Sequence, residues 1–171
     1  MGSHTFIAYG YGFPVDSLIP NKFIAFINNH KTTLDVILQN ESSKTSLHDM
    51  RALIDFCENA TPDDLAKIEY LDEIADDYDR IEDIWGNQHM LGILSRIISH
   101  ETKVNMEFQR GDNECESNPS LILAKGMPWD FNNTEQTFTS EDELKSILSP
   151  YAIELGVNTD LISDLEIEYW I

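Results

Sequence analysis

The stretch that most constrains this chain runs from Thr61 to Ile84, TPDDLAKIEYLDEIADDYDRIEDI. It opens as a helix should. Thr61 suits the cap, Pro62 the first helical position, where a missing N–H goes unnoticed, and Asp63 and Asp64 face the positive end of the helix dipole. Ile68, Leu71, Ile74, Ala75, Tyr78 and Ile81 recur every three to four residues and form one apolar stripe. From Glu69 to Asp83 the chain also carries eight acids, Glu69, Asp72, Glu73, Asp76, Asp77, Asp79, Glu82 and Asp83, against one base, Arg80. Like charges three or four positions apart oppose a helix by roughly 0.2–0.5 kcal/mol per pair. Glu69/Glu73, Asp72/Asp76, Glu73/Asp77 and Asp79/Asp83 are such pairs. The sequence thus predicts a helix with one face that works against its own folding.

The remaining composition decides what surrounds that helix. Three Trp, six Tyr, eight Phe and 42% hydrophobic residues describe a folding chain, since a disordered acidic tail has few aromatics. At 171 residues one domain spanning 1–171 is expected. The net charge of −20 sits unevenly: residues 1–53 hold four acids and four bases, residues 54–171 hold 27 acids and seven bases. That charge repels nucleic acid and anionic membranes as direct ligands and favours a basic partner. No apolar run approaches the ~20 residues of a membrane span, no signal peptide is expected ahead of the first strand, and Phe6 breaks the myristoylation pattern. Gly2, Ser3 and His4 are also compatible with a cloning scar. A cytoplasmic setting follows, with Cys57 and Cys115 as free thiols outside any Cys-x-x-Cys or Cys/His pattern.

Taken in order, Thr5 to Tyr9 reads as a strand and Gly10 to Pro14 as a turn. Helices are expected over Asn21–Asn29, over Thr33–Gln39 with Thr32 or Thr33 as cap, and from a Ser46 cap to about Asn59. After the acidic helix, Asn87–His100 reads as a buried helix. Lys103–Arg110 and Ser120–Lys125 alternate or run apolar as strands. Ser140 to Glu143 form a capping box for a helix that Pro150 should kink or restart and Gly156 should stop. Asp164–Ile171 alternates as the last strand. The expected fold class is α+β: a mostly antiparallel sheet of about four strands with helices on one face, and a central helical region between the first and second strands.

Chemistry has little support in the pattern. HExxH, G-x-S-x-G and paired cysteines are missing, and the GYG of the first turn lacks the Lys-Ser/Thr of a phosphate loop. His48-Asp49 and His100-Glu101 are neighbours in sequence, which point to different sides of a helix. Asp76-Asp77-x-Asp79 and Asp112-x-Glu114-x-Glu116 are oxygen-rich but lack the order of a calcium loop. The expectation is a non-enzymatic chain with no catalytic residue, no metal site and no cofactor.

The acidic face is the candidate site. Over about 21 Å of helix it would carry one carboxylate per roughly 3 Å, close to the ~3.4 Å per phosphate of one nucleic-acid strand. Acids at 107–116, 130–143 and 160–168 could extend it, and an exposed Trp129 or Trp170 could anchor it. In size and charge, though in no motif, the chain resembles the DNA-mimic and anti-CRISPR proteins of phages. The expectation this carries is an acidic inhibitor seated in the basic nucleic-acid groove of a partner protein. The alternatives are an immunity protein that neutralises a basic bacterial nuclease toxin, and an ordinary cytosolic domain whose charge serves solubility.

Overall fold

A computed structural model of the chain describes residues 5–15, 20–61, 88–110, 120–124 and 140–170. Two compact units emerge, one of residues Ile19–Ile97 and one of Met1–Leu18 with Ile98–Ile171.

The described residues of the first unit form α1 (Pro20–Asn29), α2 (Lys31–Asn40), α3 (Lys44–Asn59) and the larger part of α4 (Gln88–Thr102). Phe23, Phe26 and Ile27 of α1, Leu34 and Ile37 of α2, and Met50, Leu53 and Cys57 of α3 recur at three- and four-residue spacing and are all buried. Ile93, Leu94 and Ile97 of α4 are buried as well. Polar groups tie the unit's edges. Asn28 donates to the Cys57 carbonyl at 3.3 Å, Lys31 pairs with Glu58, and Arg96 holds Glu41 at 2.7 Å. Only His30 separates α1 from α2. Its N–H donates to Phe26 and its carbonyl accepts from Leu34, each at 3.0 Å, while its ring stacks on Phe26 with centroids 4.2 Å apart. His30 thus occupies the cap position expected of Thr32 or Thr33, and no side chain caps α2 there.

The second unit holds β1 (Thr5–Pro14), β2 (Met106–Arg110), β3 (Ser120–Ala124) and β4 (Ser163–Trp170) in the antiparallel order β2-β3-β1-β4. With them are α5 (Glu141–Glu154) and a 3-10 turn, Thr159–Leu161. Phe13, Leu144, Leu148, Ala152 and Leu155 are fully buried and centre its core.

The α+β expectation, a mostly antiparallel sheet of about four strands with helices on one face, is corrected by this balance. The described residues are mostly helical, with five α-helices of 10, 10, 16, 15 and 14 residues against strands of 10, 5, 5 and 8. The physical reason lies in α1, α2, α3 and α4, whose apolar stripes are buried, so the sheet carries a smaller share of the described fold than its alternating sequences suggested.

Boundaries move for local reasons. β1 continues through the expected turn to Pro14, because Tyr11–Pro14 pair with Leu121–Ala124 and Gly10 and Gly12 pair with Leu165 and Ser163. Ser46 lies inside α3, whose first turn instead starts where the Ser43 carbonyl accepts from Leu47. Residues 103–105 are not strand. Lys103 adopts φ 62°, a left-handed conformation that usually suits glycine, and donates its N–H to Ser99 at 3.0 Å. The Ser99 hydroxyl then takes the Met106 N–H at 2.8 Å and donates to the Met106 carbonyl at 3.2 Å, fastening the start of β2 to α4.

Pro150 neither kinks α5 to a stop nor restarts it; the helix runs through. Ser146, whose carbonyl loses its donor there, is exposed, so water can serve it. The helix ends as expected at Gly156, φ 78°, where Gly156 donates to Ile153 at 3.0 Å and Val157 to Ala152 at 2.8 Å. Among the described residues no helix is long and apolar enough to cross a membrane.

Candidate functional site

Glu69, Asp72, Glu73, Asp76, Asp77, Asp79, Glu82 and Asp83, the residues expected to form the acidic face, lie outside the described residues, as do Trp129, Cys115 and Asp112 to Glu116. The structure neither joins nor separates them. What it does place are the acids at the far end of the chain, and one residue that sequence reasoning missed.

Ser140 caps α5 by accepting the Glu143 N–H at 3.2 Å. The cap fixes Glu141, Asp142 and Glu143 in the first turn, where the helix dipole favours negative charge, and all three are exposed. In the sheet, Asp164 stands directly opposite Tyr11 on the neighbouring strand. Opposed residues of an antiparallel pair share a face, so Asp164 and Tyr11 point to the same side. Tyr11 is only 3% exposed. Burial pushes its phenol above the usual range, and the charges of Glu141, Asp164 and Asp142 push it further. A period-two signal for the strand was present in Tyr9-Gly10-Tyr11-Gly12-Phe13, but the partnership with Asp164 depends on a register that only the fold supplies.

Elsewhere charge is spent inside the molecule. Arg96 and the Ser43 N–H both reach Glu41, and the two together, the backbone donor first, hold its carboxyl below the usual range. The Tyr151 hydroxyl donates to Glu101 at 2.9 Å and, with burial as the larger cause, is raised well above an ordinary tyrosine. Burial pushes the Cys57 thiol up to about 12, with Glu58 adding to the shift. No group of three His, Cys, Asp or Glu among the described residues is placed to hold a metal ion.

The raised acids carry a pH dependence with a definite sign. A proton held more tightly in the folded chain than in the unfolded one stabilises the fold below the unfolded pKa, and this is lost as pH climbs through the folded value. For Cys57 that window runs from about 9.0 to about 12. Urea unfolding should give constant stability near neutral pH and a falling value above pH 9.0, with Tyr11 joining above 10.0. Cys57→Ala should flatten the first part of the decline. Stability that stays level into that range would show that neither group is shielded as the packing implies.

No protein-family model matches the chain, and no curated protein or solved structure matches it.

Proposed function

We propose that the chain is a small, acidic, non-enzymatic inhibitor that binds the basic nucleic-acid groove of a partner protein, a nucleic-acid-binding protein or a nuclease. One observation carries this reading: eight carboxylates and a single base between Glu69 and Asp83, in a chain of net charge −20. On the helix that the sequence predicts there, that charge density matches the linear charge of a phosphate backbone, and such a helix would spare the ordering entropy a flexible mimic would lose. The exposed first turn of α5 adds acids in the same sense, and pairing of Lys31 and Arg96 with Glu58 and Glu41 leaves the surplus negative.

Capture of a basic protein from lysate identifies the partner, and kinetics then test the mechanism. Association should be fast at low salt and fall steeply as ionic strength rises, while dissociation changes little. Nucleic acid should compete for the same surface of the partner. An association rate flat across the salt range would reduce the acidic run to a solvated face. Tight direct binding of DNA or RNA to the chain itself would contradict the reading, because a surface of this charge repels phosphates.

A further inference from the structure

We draw no further inference here: the strongest candidate, the outer edge of β4, where Asp164, Glu166 and Glu168 alternate along a strand that among the described residues pairs only with β1, is a row of acids with nothing in the structure to show what covers it.

Discussion

Replacing Phe13 by Ala should lower the stability of the protein by about 3–5 kcal/mol, measured by urea unfolding. Phe13 has no solvent exposure and lies on β1 opposite Ile122, which in turn stands opposite Phe108 of β2, so one row crosses three strands. Truncation removes the transfer energy of a phenyl ring and leaves a cavity. Its chain neighbours Gly12 and Pro14 face the other side of the sheet and cannot fill it. A Phe in a surface turn, where the sequence placed Gly10 to Pro14, would give up less than about 1 kcal/mol. A small loss would therefore return this stretch to a turn and dissolve the pairing of β1 with β3.

That contrast shows what the sequence could convey. Signals that act within one turn of helix were legible. Ser140 and Glu143 announced the start of α5 and Gly156 its end, and both do what their chemistry demands. The helices α1 and α3 were legible for the same reason, from apolar residues every three to four positions. Glycine misled in β1 because it has two meanings. It opens turns, but between aromatic residues it also leaves one strand face bare, and only the partner strands decide between them. Pro150 misled because its penalty is local and finite, while Leu144, Leu148 and Ala152 keep the helix anchored on both sides of it. Lys103 takes a glycine's conformation because Thr102, Ser99 and its own ammonium serve the backbone around it, with Lys103 donating to the His100 carbonyl at 2.7 Å. The sheet's share of the fold was overread because alternation identifies strands and says nothing of how large a separate helical core the rest of the chain will build.

For the site the same division holds. Charge density between Glu69 and Asp83 is a property of sequence and needs no fold to be seen. The placement of Asp164 opposite Tyr11 needs a register between residues more than 150 positions apart, so no local pattern could carry it.

Reversing Asp72, Asp76 and Asp83 to Lys should separate binding from folding. On the helix that the sequence predicts, the repulsive contacts Glu69/Asp72, Glu73/Asp76, Asp76/Asp79 and Asp79/Asp83 become attractive. Positions 72 and 76 still repel each other, and Arg80 loses its attraction to Asp76 and Asp83. At roughly 0.2–0.5 kcal/mol per pair these changes leave the helix neutral to slightly more stable. Lys at position 83 also approaches the negative end of the helix dipole, where a cation is favoured. The melting temperature should therefore hold or rise, by no more than ~1 kcal/mol of stability once solvent screening is counted. Affinity for a basic groove should move the other way, because three attractive charges become repulsive and like charges brought together at an interface cost several kcal/mol. At about 1.4 kcal/mol per tenfold, a loss of at least a hundredfold is expected. The informative measurement pairs the two quantities on one triple mutant, melting temperature beside inhibition of the captured partner. Binding that survives with stability intact would place the docking surface elsewhere on the chain. A fallen melting temperature would instead show that these carboxylates hold the fold together, as a cap or an ion site would require, and that the acidity of this segment serves structure before recognition.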